Sequence, residues 1–535
     1  MEHSPRKVPR QRGYASRKRK RGCESDSHDR GGEDDVLLTD IKNLLQRNTP
    51  ETAGIGNEAP PTVVHTGKDE TFPETEVTIC ELSSTGDGLA LSPACDHVYA
   101  VPFTLPGDTV KIRVYRTVAK QSYSLADFIE VTKPSPQRND SLINCQYFAK
   151  CGGCQFQMLP YEDQLVHKKK VVEKAYINFS GLSQEQVPAV ENTMGSPLIY
   201  GYRTKLTPHF SLPGRVKRMA HKMTEAPNIG FMMKGRRRVM DIEDCPLGTD
   251  IVRTGLKNER RRVLDNLDQF KAGATLLVRE NTIRIPKDKT EETPTEHDTS
   301  KDTIRTEYPD YIEEKSYITD QKAISSEYID NYLFHNVAGT FFQNNNSILS
   351  PFTQYVRDLA ALPPPPPSSS SSTNHPPKLK YLLDAYCGSG LFTITLSTLF
   401  RSSLGVDVAP GSITSARDNA RLNHLPNTSF LAADAAKLFI DVPYPPEQTL
   451  LVIDPPRKGC DANFLTQLLA FAPARVVYAR DVGVMVRGGR RVASEGKREG
   501  EGGGVRYEIE RIKGFDFFPQ TGHVESVAVL NRVVL

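Results

Sequence analysis

The chain has 535 residues, with 68 Lys and Arg against 65 Asp and Glu, nine Cys and no Trp. That is length enough for two to four domains, each with its own core. No run approaches the roughly 18 to 20 apolar residues that a membrane span needs, and the N-terminus lacks the apolar centre of a secretory signal, so an intracellular protein without a membrane anchor is expected. Nine cysteines are too few for a disulfide framework in a chain this long; clustered ones in a reducing compartment bind metal or do chemistry.

The net charge of +3 conceals segregation: residues 1–22 carry nine Lys/Arg and one acid, and residues 201–240 carry ten Lys/Arg with Glu225 as the one acid. A field concentrated in this way attracts polyanions, although a charge run can equally be a solvated face. Residues 1–72 are rich in Arg, Ser, Gly and Pro with little apolar periodicity and read as a disordered basic tail. Within it, Lys18 to Arg21 could address the nucleus, while the Arg/Ser-rich start also resembles a mitochondrial presequence. Nucleus, cytoplasm and mitochondrion all stay open.

Residues 73–133 show short β-type runs separated by the turns Gly86-Asp87-Gly88 and Pro106-Gly107-Asp108, the pattern of a small antiparallel, OB-like barrel. Residues 134–335 form a mixed α+β central region. It contains an acidic stretch, 286–330, with 13 acids and six Lys/Arg, which reads as a surface insertion or flexible arm. Pro363 to Pro377 is low-complexity connector. The last unit, 336–535, alternates apolar strands with helical periods from Lys378 onward, which predicts a Rossmann-like parallel α/β sheet closed by an antiparallel strand at residues 525–535. Gly488 to Gly504 reads as a loop without core content.

Four strand ends of that sheet present polar groups. Asp384 runs into the turn Tyr386-Cys387-Gly388-Ser389-Gly390, Asp407 closes the second strand, Asp434 the third, and Asp454-Pro455-Pro456-Arg457 the fourth. Ligands of doubly wound sheets bind at this edge; glycines allow close backbone approach, and a second-strand acid can accept ribose hydroxyls, which fits an adenosine-bearing cofactor. Upstream, Gly339 to Asn345 is an aromatic and amide cluster, readable as ligand-binding or as a helix cap by Asn344 or Asn345. Cys145, Cys151 and Cys154 surround a Gly-Gly turn, and Cys245 follows about ninety residues later. Four thiols suit zinc or an iron–sulfur cluster, and the spacing departs from paired zinc ribbons; the plainer account is a set of small buried cysteines. His523 and Glu525, two apart on an extended segment, would share a side, with Glu525 a candidate general base or simply a polar residue of an edge strand.

In this order, the barrel, the four cysteines, Phe341 to Asn345, the Asp384 to Gly390 turn, Asp454 to Gly459 and Phe518 to Glu525 resemble the RNA 5-methyluridine methyltransferase family, in its fungal-type tRNA (uracil-5-)-methyltransferase branch. The resemblance spans about residues 73–535 and implies a class I methyltransferase domain with a TRAM barrel. It implies S-adenosylmethionine held by Gln343, Tyr386, Asp407 and Asp454, a tRNA T-loop uridine as substrate, Glu525 as base, a monomeric protein, and a [4Fe-4S] cluster on Cys145, Cys151, Cys154 and Cys245. The family's chemistry also needs a thiolate on uracil carbon 6, carried on a short Ser-Cys-Asn loop after the fifth strand. Here Arg475 to Tyr478 runs directly into Ala479-Arg480-Asp481, and the loop is missing. Cys460 is the nearest other thiol and Cys387 belongs to the cofactor turn. The alternative to an active enzyme is therefore a catalytically impaired RNA-binding or tRNA-folding protein that keeps the donor pocket.

Overall fold

The structure, a computed structural model, describes residues 33–48, 74–211, 226–270, 272–289, 302–362, 378–433, 439, 442–455, 459–481 and 505–534. The Pro-rich connector, Asp434, Arg457, the loop 488–504 and the Lys18 to Arg21 run lie outside these residues.

Strands β1 (Glu74–Leu82), β2 (Gly88–Leu91), β3 (Val98–Val101), β4 (Thr109–Val118) and β5 (Tyr123–Lys133) close into a barrel in the order β1-β2-β3-β5-β4. Alternate residues such as Val77, Ile79, Val110 and Ile112 fill its interior, as a period of two requires. Helix α1 (Glu33–Asn48) departs from the expected disordered tail. Leu37, Ile41 and Leu44 recur at helical spacing and pack on Leu89, Val98 and Tyr123 of the barrel. Buried Asp40 accepts the Ser84 amide at 2.5 Å and pairs with Lys174 at 3.2 Å. The helix gains its stability from that docking rather than from its own propensity.

The central region contributes α2 (Tyr161–Phe179), β6 (Val190–Met194), β7 (Lys205–Leu206), β8 (His209–Phe210), α3 (Asp250–Asp265), β9 (Ala274–Thr275) and β10 (Val278–Pro286). The acidic stretch is not a loose arm where it is described. Strands β11 (Ile304–Glu307) and β12 (Tyr311–Ile318) extend β10 and β7 into a sheet of order β11-β12-β10-β7, and β13 (Ile324–Ile329) forms a hairpin with β14 (Tyr332–Val337). Its charges are matched across strands: Glu314 with Arg305 at 2.7 Å, Lys315 with Glu280 at 2.9 Å, and Glu327 with Arg279 at 2.6 Å in full burial. Opposed charges on neighbouring strands replace the aliphatic content whose scarcity suggested disorder.

The last unit comprises α4 (Leu349–Ala361), β15 (Tyr381–Ala385), α5 (Leu391–Leu396), β16 (Ser402–Asp407), α6 (Pro410–Leu422), β17 (Thr428–Ala432), β18 (Thr449–Ile453), α7 (Ala462–Phe471), β19 (Arg475–Asp481), β20 (Val505–Phe515) and β21 (Glu525–Val534). The sheet order is β17-β16-β15-β18-β19-β21-β20-β6. Strands β15 to β19 are parallel and β21 is antiparallel to β19 and β20. The order reverses between β15 and β18, which opens a crevice at their carboxyl ends. The central region is built into this unit: β6 pairs in parallel with β20, and Val171, Val172 and Ala175 of α2 pack with Leu383 and Ala385 on one sheet face. Leu382 faces the other, with α4 and α5.

Candidate active site

At the end of β15 the chain must turn sharply into α5, and it does so through left-handed residues: Tyr386 (φ 63°), Gly388 (φ 54°) and Gly390 (φ 95°). A side chain at Gly388 would meet nothing within 4 Å, so its backbone angle rather than crowding accounts for glycine there. Asp407, at the end of β16, pins the turn: Oδ2 accepts the Gly388 amide at 3.0 Å and Oδ1 the Ala409 amide at 2.8 Å. Tyr386 is half-buried, its ring 5.5 Å from that of Phe464 on α7. Asp454 follows β18, with its amide 3.3 Å from the Ala385 carbonyl.

Asp384 completes the group, although sequence reasoning gave it no ligand-binding role. It is fully buried, and Oδ2 accepts both the amide and the hydroxyl of Thr393, at 2.9 and 2.6 Å. Burial pushes its carboxyl up to about 7; the Thr393 bonds oppose this and the charges of Asp454 and Asp407 reinforce it. The signal that could have flagged it was a strand-end acid directly preceding a glycine turn. Burial, then Asp384 and Asp407, hold the Cys387 thiol well above its ordinary value, so it stays protonated and is a poor nucleophile.

The segment Phe341 to Asn345 does not cap α4: the residue before that helix is Ile348, with no side-chain cap bond. Instead it ties the central region to the sheet. Buried Asn345 donates to Ser196 Oγ at 3.0 Å and to the Phe517 carbonyl at 3.2 Å, while the Asn344 carbonyl accepts the Thr204 amide at 2.9 Å. Gln343 is half-buried with no side-chain hydrogen bond among the described residues, and Phe341 beside it is 79% exposed. Both are thus open to a ligand.

The loop leading to Glu525 is held from several directions. Asp516 pairs with buried Lys168 of α2 and accepts the Tyr161 hydroxyl at 2.9 Å. Gln520 (φ 71°) exchanges hydrogen bonds of 3.1 Å with Gln164, and the Gly522 amide donates to Gln155 at 2.8 Å. Val524 is buried between exposed His523 and half-buried Glu525, so the latter two share the opposite side, as expected of extended backbone. Glu525 opens β21 across from Asp481 of β19. Because β21 runs antiparallel to β19, Glu525 lies at the same sheet edge as Asp407 and Asp454. Between Tyr478 and Asp481, where the resemblance requires a thiol-bearing loop, β19 continues unbroken against Ala528 to Glu525.

Cys145, Cys151, Cys154 and Cys245 act on one another electrostatically. Burial raises all four thiols, Cys151 to about 11, and Cys151 and Cys154 are raised further by the charges of Cys145 and Cys245. The donor chemistry suits a soft metal, yet among the described residues no three His, Cys, Asp or Glu groups are arranged to hold an ion. The fit to a cluster is therefore one of composition and not of ligand geometry. Among the described residues no helix is long and apolar enough to cross a membrane.

Comparison with known proteins bears on this arrangement. The profile of the tRNA (uracil-5-)-methyltransferase family matches residues 313–441. A "tRNA (uracil(54)-C(5))-methyltransferase" of Schizosaccharomyces pombe is 41% identical over 515 residues, covering 94% of this chain and 84% of that protein. A protein with the same description in Saccharomyces cerevisiae is 38% identical over 489 residues, covering 85% and 73%. Among solved structures, the Pyrococcus abyssi tRNA (uracil-54, C5)-methyltransferase in complex with S-adenosyl-L-homocysteine superposes with a TM-score of 0.56 over 85% of this chain and 100% of that one, at 20% identity. That likeness establishes a Rossmann-like methyltransferase fold. With extended identity to the two yeast proteins and a matching family profile, the chain belongs to the tRNA (uracil-5-)-methyltransferase family.

Proposed function

We propose that this chain binds S-adenosylmethionine in the crevice between β15 and β18 and directs it at carbon 5 of a T-loop uridine in tRNA. The observation that carries the reading is the convergence of Asp384, Asp407 and Asp454 on the left-handed turn at Tyr386 to Gly390. When bound, the cofactor supplies an electrophilic methyl group on a positively charged sulfur. Asp407 spends one lone pair of each oxygen on a backbone amide and keeps others for ribose hydroxyls. Tyr386, Asp454 and Gln343 border the remainder, and Phe341 offers an exposed ring on which a splayed base can stack. Glu525 would remove the proton from carbon 5.

The barrel reads as a TRAM-type RNA-binding module. Lys234 pairs with Asp87 at 2.9 Å, and Arg236 pairs with Asp127, so the hairpin they occupy is tied to the barrel while Arg237 and Arg238 stay exposed for phosphate. We further propose that Cys145, Cys151, Cys154 and Cys245 close around an iron–sulfur cluster; no catalytic step is assigned to it. Iron content and visible absorbance lost in Cys151→Ser support this, and zinc or no metal refutes it. The protein is proposed to act as a monomer in the nucleus, addressed by Lys18 to Arg21, or in the mitochondrion, addressed by the Arg/Ser-rich start; a fluorescent fusion localised with and without each segment decides between them, and one that stays cytoplasmic rejects both addresses.

A second reading has its own observation. The unbroken strand through Ala479 to Asp481, and a sequence without cysteine after Cys460, favour a chain that binds donor and tRNA without completing covalent chemistry. Loss of a covalent nucleophile in other enzymes costs on the order of a millionfold in rate. Full-length protein, T-loop RNA and methyl-labelled donor separate the two readings. Incorporation at carbon 5 supports the enzyme, and incorporation that survives Cys460→Ala shows that Cys460 is not the nucleophile. RNA and donor binding without incorporation supports the second reading. Failure to bind the donor refutes both. If the loop was lost in assembling the gene sequence, transcripts will carry extra codons between Tyr478 and Ala479; an uninterrupted junction in every transcript rejects that origin.

A further inference from the structure

Asp384 has no role yet. It is fully buried, Oδ2 is occupied by Thr393, and Oδ1 has no hydrogen-bond partner. The groups acting on it are Thr393 from α5, Asp407 from β16 and Asp454 from the end of β18, and Asp384 in turn acts on the Cys387 thiol of the turn. Helix α5, packed against β15, carries no charged residue. Asp384 is fully buried beside the half-buried Asp407 and Asp454 at the two adjacent strand ends, so the three carboxylates repel one another, and a cation laid across them relieves the repulsion.

We propose that Asp384 senses the charge on the sulfur of the bound ligand, so that the crevice favours the sulfonium donor over the neutral thioether left after methyl transfer. The inference rests on the donor-binding reading above. S-adenosylmethionine and S-adenosylhomocysteine carry the same ammonium and carboxylate, so sulfur charge is what distinguishes them electrostatically. With the cation in place, Asp384 releases its proton to solvent. With the neutral product in place, it takes a proton back from solvent, and no other bond at Asp384 changes. Loss of the charge thereby removes an attraction at the moment the product must leave.

The carboxyl sits at about 7 without ligand. If the sulfonium depresses it by about one unit, donor affinity rises about fivefold from pH 6 to pH 8, and binding at pH 7 releases about 0.4 of a proton. Calorimetric titration of the full-length chain with each compound at pH 6, 7 and 8, in buffers of different ionisation enthalpy, tests this. The expected result is proton release and a rising affinity for S-adenosylmethionine, with neither for S-adenosylhomocysteine. Asp384→Asn should abolish the difference in pH dependence. Thr393→Val, which removes a bond favouring the carboxylate, should move the affinity change to higher pH. Equal proton release for the two ligands, or none for either, overturns this proposal alone. Binding of neither compound overturns the donor reading and this proposal with it.

Discussion

The buried pair between Lys168 on α2 and Asp516 before β21 makes a sharp test of how the loop carrying Glu525 is held. Both side chains are fully buried. Burial pushes the Lys168 ammonium down, and the adjacent carboxylate opposes this. Lys168 also donates to the Phe518 carbonyl at 3.0 Å, while Asp516 accepts from Tyr161 at 2.9 Å and from the Phe518 amide at 3.1 Å. Lys168→Met keeps the length and removes the charge, leaving a buried carboxylate with only neutral donors; the expected cost is about 3–5 kcal/mol. Adding Asp516→Asn removes the stranded charge and keeps an oxygen for Tyr161, so the double variant should recover most of that loss. Denaturant unfolding gives the cost, and hydrogen exchange at the Phe518 to Gly522 amides locates it. A single variant costing less than about 1 kcal/mol, or a double variant costing the sum of the singles, would refute the reasoning.

Three further outcomes are expected. Asp384 has a folded carboxyl raised to about 7, so its contribution to stability is fully present below the unfolded value and is lost as pH rises through 7. Asp384→Asn should therefore be more stable than wild type without ligand by about 2–4 kcal/mol at pH 8, with the gap shrinking toward pH 5; a pH-independent gap contradicts the assignment. His167, buried against Phe156 and pushed down to about 3 mainly by burial, must stay neutral in the fold. Stability is therefore lost as pH falls below about 6.5, by about 2 kcal/mol at pH 5, and thermal unfolding of His167→Leu should lack this component. Ile41→Ala removes a fully buried contact between α1 and the barrel. It should weaken docking by about 2–4 kcal/mol, read as faster exchange confined to the α1 amides; uniform slow exchange would show that the helix is held by other means.

Much of the sheet and its crevice was readable along the chain, because the signals are local. Apolar runs of three or four residues mark β15, β16 and β18, and a left-handed turn calls for glycine at Gly388 and Gly390 a few residues after Asp384. The barrel announced itself in the same way, through turn residues at regular intervals. Helix α1 was missed because its short stripe of Leu37, Ile41 and Leu44 stands in a polar surrounding and has meaning only against Leu89 and Val98. Strands β11 and β12 were missed because their charges are matched across strands, Glu314 with Arg305, Glu313 with Arg284 and Lys315 with Glu280, pairings that composition within one window does not reveal.

Other properties belong to pairs far apart in the chain. Lys168 and Asp516 are 348 residues apart, and β6 joins a sheet whose other strands lie beyond residue 380. The protonation of Asp384 depends on its own burial and on carboxylates delivered by the two neighbouring strands. Backbone preference is set by a residue and its immediate neighbours, whereas charge state depends on dielectric and on every charge within a few ångströms, which exist only once the strands are stacked side by side.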